Sequence, residues 1–130
     1  MIDVNERILT YLSDVSGVTD LTSTARLYAG RDIPPKGYAP NQGAALVWKV
    51  RGGSVGAGHS HLNPSVQFKA YGLDEVAATA LDRALFDAFQ RPTTGLFKAV
   101  EVEVLGQLIE EPQTGWVAVL SFYKFWFKAQ

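Results

Sequence analysis

The sequence contains no cysteine. Disulfide frameworks, thiolate metal sites and cysteine nucleophiles are therefore excluded, and the absence fits a reducing compartment. Histidine is scarce, with only His59 and His61. An excess of one charge is also missing: 12 Lys and Arg stand against 13 Asp and Glu, for a formal net charge of -1. A nucleic-acid binder whose affinity rests on neutralising phosphates is not expected from that balance. No apolar run approaches the roughly 20 residues of a membrane-spanning helix, so no membrane partner is expected. The first residues, Met1-Ile2-Asp3-Val4-Asn5-Glu6, lack a basic stretch followed by an apolar one. That reads as no signal peptide, with synthesis and use in a cytoplasm.

What is present is an ordinary globular composition. Of 130 residues, 47% are hydrophobic and 19% charged, enough for one domain over residues 1–130 with a core of its own. Residues 3–16 read as a helix. Asp3 and Glu6 have capping-box spacing, Val4, Ile8, Leu12 and Val15 share a face, and Gly17 is placed to stop it. Residues 18–24 read as a polar connection and residues 26–29 as a short strand. Five glycines and prolines between positions 31 and 43 predict a loop. Residues 45–51 and 65–71 alternate as half-buried strands. Between them residues 52–64 form a glycine-rich loop, far longer than the usual ~2–5 residues of a hairpin connection. Residues 74–90 are the clearest helix: Asp74 caps it, and Ala77, Leu81, Ala84, Leu85 and Ala88 make one stripe. Two strands close the chain, one with Val100, Val102 and Val104 opposite Glu101 and Glu103, the other over residues 116–127. The order predicts an α+β fold, a mostly antiparallel sheet with two main helices on one face.

The motifs of catalysis are missing from this pattern. His59 and His61, two apart, would point to one side of an extended segment, but zinc normally takes more ligands than two. The run Gly52-Gly53-Ser54-Val55-Gly56-Ala57-Gly58 has the composition of a phosphate cradle without its Lys-Ser/Thr pair or a following helix. Glu101 and Glu103 share a strand face and are expected to face Lys49, Arg51 and Lys69 across the sheet as ordinary cross-strand charge pairs. No catalytic residue, metal ligand or cofactor is assigned.

Two features call for a partner. The last strand is apolar on both faces, with Ala118, Leu120 and Phe122 on one and Val117, Val119, Tyr123, Phe125 and Phe127 on the other, where a strand with one wet face should alternate. At about 3.3 Å per residue it also reaches past a core of this size. Phe86 lies on the polar side of its helix. Aromatics are enriched at protein interfaces, so Phe86, Tyr123, Phe125 and Phe127 are read as a subunit or partner contact. The long loop, with Gly52, Gly53, Val55, Gly58, His59, His61 and Leu62, is read as a partner-contact arm.

The order of elements resembles a family. A helix and a proline-marked loop lead to Ala45-Leu46-Val47-Trp48-Lys49-Val50. A long loop then leads to Pro64-Ser65-Val66-Gln67-Phe68-Lys69-Ala70-Tyr71-Gly72, a helix containing Ala80-Leu81-Asp82-Arg83-Ala84-Leu85, and two closing strands. This resembles the tail terminator, or tail-completion and head–tail joining, proteins of long-tailed bacteriophages. The resemblance implies a ring, usually a hexamer, that caps the tail tube, stops its polymerisation and offers a surface to the head connector. It implies a place at the tail–head junction of the virion, the tail tube protein and the neck proteins as partners, and no cofactor. Two other readings stand beside it: a head-completion or neck adaptor, and a small-molecule-binding or hydrolytic α+β domain.

Overall fold

Sequence periodicity places most of the helices and strands, and the computed structural model shows how they pack. It describes residues 4–55, 61–90 and 99–128. Helices α1 (Val4–Ser13) and α2 (Ser16–Thr22) lead through a 3-10 turn to strand β1 (Leu27–Ala29). A loop with a second 3-10 turn (Pro40–Gln42) precedes β2 (Ala45–Val55) and β3 (His61–Gly72). Helix α3 (Glu75–Gln90) follows, and β4 (Ala99–Glu110) and β5 (Val117–Lys128) complete the sheet. The strand order is β1-β2-β3-β5-β4. Only β1 and β2 are parallel; the other neighbours are antiparallel. The α+β architecture expected from the pattern is the one observed.

The first helix ends sooner than its apolar spacing suggested. It stops at Ser13, and a second helix, not a polar connection, runs from Ser16 to Thr22 with Gly17 inside it. Val18 and Thr22, one helical turn apart, are buried, and the Thr22 hydroxyl is satisfied by donating to Val18 O at 3.2 Å. The proposed cap Asp3 lies outside the described residues. In α3 the cap is as read: Asp74 Oδ1 accepts from Ala77 N at 2.9 Å. Glycine at position 72 lets α3 start directly against the sheet, because a Cβ there would run into the backbone of Ala77 and Ala78.

The three helices among the described residues cover one face. Ile8, Leu12, Leu46, Trp48, Phe68, Leu81, Leu85, Phe89, Tyr123 and Phe125 meet in the main core. Its centre is aromatic. Phe89 lies 5.0 Å from Tyr123 and 5.2 Å from Phe125 between ring centroids, and Phe68 lies 5.4 Å from Tyr123. Such tilted and edge-on pairs contribute about 0.5–1.5 kcal/mol each beyond the area they bury. The polar tips are also placed: Tyr11 Oη donates to Ala88 O at 2.5 Å and Trp48 Nε1 to Asn5 O at 3.3 Å. The opposite face has a smaller cluster of Tyr38, Ala45, Val47, Tyr71 and Ala118, under the loop that precedes β2.

The glycine-rich connection is mostly sheet. Pairing of β2 with β3 runs outward past Gly52↔Ser65 and Gly53↔Pro64 to Val55↔Leu62. The far end of β5 joins it, with Leu62↔Phe127 and His61↔Lys128. Residues 52–64 are therefore not one long loop. Backbone pairing needs no side chain, so glycine does not prevent it. Gly58 and His59 lie outside the described residues.

Candidate interaction surfaces

The structure separates the residues read as one contact. Tyr123 and Phe125 are buried in the main core, so they are not a contact surface of this fold. The reason is topological: β5 is an inner strand between β3 and β4, and its odd-numbered face lies under α3. Of Phe127 only the strand pairing is described. Phe86 is half-buried and packs against the core, with its ring on the border of a groove between α3 and β4.

That groove, of about 220 Å³, is lined by Thr79, Asp82, Arg83, Phe86, Leu105, Gly106 and Tyr123. Gly106 opens it, since a Cβ there would stand 2.6 Å from both Asp82 Oδ2 and Val119 Cγ1. Asp82 Oδ1 and Ser121 Oγ are buried beside it, and neither has a hydrogen-bond partner of normal geometry among the described residues. Burial pushes the Asp82 carboxyl above the usual carboxylate range and outweighs the nearby Ser121 hydroxyl, which pulls the other way. Burial also pushes the Tyr123 phenol up, helped by the charges of Asp82 and Asp87.

Large apolar side chains lie exposed along this flank. Val76 (78%) of α3 and Leu105 (68%) of β4 both lie beside Thr79 and Arg83, while Leu73 (69%) stands in the bend before α3 and Leu108 (49%) further along β4. Exposed apolar residues scattered singly are normal, whereas a contiguous apolar patch marks a contact.

The opposite face is polar and internally paired. Asp32 Oδ1 lies 3.6 Å from Lys49 Nζ and 3.4 Å from Lys69 Nζ, and accepts from Gln67 Nε2 at 2.8 Å. Burial pushes the Asp32 carboxyl up, but the Gln67 hydrogen bond and the two lysines outweigh it and hold the carboxyl below its usual range. Glu111 Oε1 accepts from Tyr71 Oη at 2.5 Å and from Lys69 Nζ at 3.4 Å. The Arg51 guanidinium sits over the Phe122 ring, 4.6 Å from its centroid. The lysines thus meet Asp32 and Glu111 instead of Glu101 and Glu103. Glu101 stands opposite Lys124, and Glu103 accepts from the Ser65 hydroxyl.

Beside this network a pocket of about 300 Å³ is lined by residues 33–38 together with Tyr71, Glu111, Gln113, Thr114 and Trp116. Burial pushes the Tyr38 phenol up to about 12, and its hydroxyl donates to Gly43 O at 2.6 Å, which closes the loop over the sheet. No cluster of three metal-ligating side chains occurs among the described residues. His61 lies in β3 and His59 outside the description.

No family model matches this chain, and no curated protein matches it in sequence.

Proposed function

We propose that this chain is a structural assembly protein of a long-tailed bacteriophage. It closes the end of the tail tube as a ring of copies, ends tube polymerisation and presents a surface for head joining. The reading assigns no catalytic residue and no cofactor. The observation that carries it is the exposure of Val76 and Leu105, which both lie beside Thr79 and Arg83 at the seam of α3 and β4, in a chain whose order of elements resembles the tail terminators. The ladder of β2 with β3, continued by the end of β5, supports a contact arm.

The test is a nonsense mutation in the gene, read by electron microscopy of the lysate. The terminator reading expects unjoined heads together with tails of uncontrolled length. Tails of normal length that fail to join heads would make the chain a neck adaptor instead. Normal infectious particles would overturn both.

A further inference from the structure

The sheet has two unlike free edges. One is β4, which among the described residues pairs only with β5. The other belongs to β2. Strand β1 covers β2 only at Leu46, Val47 and Trp48, and its ladder ends where Arg31 N donates to Trp48 O at 2.9 Å. From Lys49 to Val55, β2 has β3 on one side and no strand on the other among the described residues. An open edge presents backbone donors and acceptors to any strand that can reach them.

The two edges match in direction. Strand β3 is antiparallel to β2, β5 to β3, and β4 to β5. Strand β4 therefore runs opposite to β2. If the sheet of one copy continues into that of the next, β4 meets the neighbour's β2 as an antiparallel pair.

They also match in chemistry on both faces. On the helix face, β4 carries Val102, opposite Tyr123 of β5, and β2 carries the exposed Val50. On the other face β4 carries Glu101 and Glu103, and β2 carries Lys49 and Arg51. A register that sets Glu101 and Glu103 opposite Arg51 and Lys49 puts acid against base and sets Val102 opposite Val50. The ladder of β4 with β5 shifts register between Val102 and Val104 and again between Val104 and Gln107. Such bulges bend and twist a strand. They limit the registers a partner can adopt, and they turn each added sheet relative to the last.

We propose that copies of this chain join head to tail by antiparallel pairing of β4 with residues 49–55 of β2 in the next copy. A contact between two different surfaces closes into a ring when its rotation permits. The inference rests on the ring reading and names the surface that builds it.

The lack of cysteine gives a clean test. Six double variants combine a cysteine at Glu101, Glu103 or Gln107 with one at Lys49 or Arg51. Opposed residues of an antiparallel pair have Cα atoms about 4.5–5.5 Å apart, within the range a disulfide spans. After mild oxidation at high protein concentration, and again with tail tubes added, at least one double variant should give a ladder of multimers under denaturing conditions, lost on reduction. Its two parent single variants, oxidised separately, should give no ladder, and mixed together they should give a linked dimer. A charge swap is the second arm. Glu101→Lys with Glu103→Lys should abolish assembly of a protein whose thermal melt is still cooperative, and adding Lys49→Glu with Arg51→Glu in the same chain should restore it. Rings seen by native mass without a ladder from any pair, or unaffected by the swap, would overturn this surface and leave the ring reading standing. A protein that stays monomeric at every concentration and on tube ends would overturn both.

Discussion

Gly106 and Asp82 meet across the seam between α3 and β4, where a Cβ on the glycine would lie 2.6 Å from Asp82 Oδ2 and equally close to Val119 Cγ1. Asp82 lines the groove, whereas Val119 is buried in the core. Gly106→Ala should therefore destabilise the fold by about 1–3 kcal/mol, the usual cost of overpacking. Adding Asp82→Ala should recover only part of that loss, because the Val119 clash remains. Urea denaturation of the two single variants and the double variant measures the coupling. Full recovery would place the whole strain on the carboxylate.

Asp82 itself should make stability depend on pH. Its folded-state pKa is raised by burial, so the folded protein holds this proton more tightly than the unfolded chain. Below the unfolded carboxylate range, near about 3.9, both states are protonated and the group contributes no difference. As pH rises through the folded pKa the charge must form in a poor solvent, and stability falls. Asp82→Asn should raise the denaturation midpoint at pH 7 and leave it unchanged at pH 3. An equal gain at both values would point to packing, and no gain at pH 7 would mean that the carboxylate is solvated.

The buried aromatics give a sharp contrast with the exposed Leu105. Phe125 touches Phe68 and Phe89 in the core, so Phe125→Ala should cost about 3–5 kcal/mol. Leu105→Ser, on the exposed flank, should change stability by less than about 0.5 kcal/mol, as surface changes usually do. Thermal melts of both variants decide this. A mild Phe125 variant would mean that the odd-numbered face of β5 is open after all.

The helix α3 was legible to within a residue because its stripe and its Asp74 cap agree. Helix α2 was not: only seven residues long and rich in Ser, Thr and Gly, it buries just Val18 and Thr22, and it forms because tertiary packing overrides weak propensity. The doubly apolar face of β5 was legible as needing cover, but alternation cannot tell a helix of the same chain from a second chain. Asp82 and Ser121 gave no pattern at all, since their proximity is made by the packing of α3 on the sheet. Gly106 did leave a signal, because an isolated glycine inside a strand often marks a close approach.

Tyr71 and Glu111 tie the turn after β4 to the inner strand β3. Tyr71→Phe removes a hydrogen bond to a charged group and leaves Lys69 as the remaining partner of Glu111 Oε1. The loss should be about 1.5–3 kcal/mol, the range for bonds of that kind. Pairing it with Glu111→Gln in a double-mutant cycle isolates the contact. A coupling near zero would show that water replaces the phenol without penalty.

The hairpin arm offers the last test, one that separates folding from assembly. Replacing residues 54–63 by Asn-Gly joins the paired positions Gly53 and Pro64 through a two-residue turn whose twist suits an antiparallel pair. Register inward of that point is preserved, so Leu46, Trp48, Val66 and Phe68 keep their places in the core. The end of β5 loses its partners His61 and Leu62, and those few ladder bonds are the main structural cost. The shortened protein should therefore melt cooperatively, a few degrees below the parent. In the phage, tail completion should fail even though the protein accumulates normally, because the surface carried on the arm is gone. Melting temperature and tail-length distribution are measured on the same variant. A stable shortened protein that still yields tails of normal length joined to heads would remove any assembly role from the arm. A protein that fails to melt cooperatively would instead show that the outer ladder is part of the folding unit.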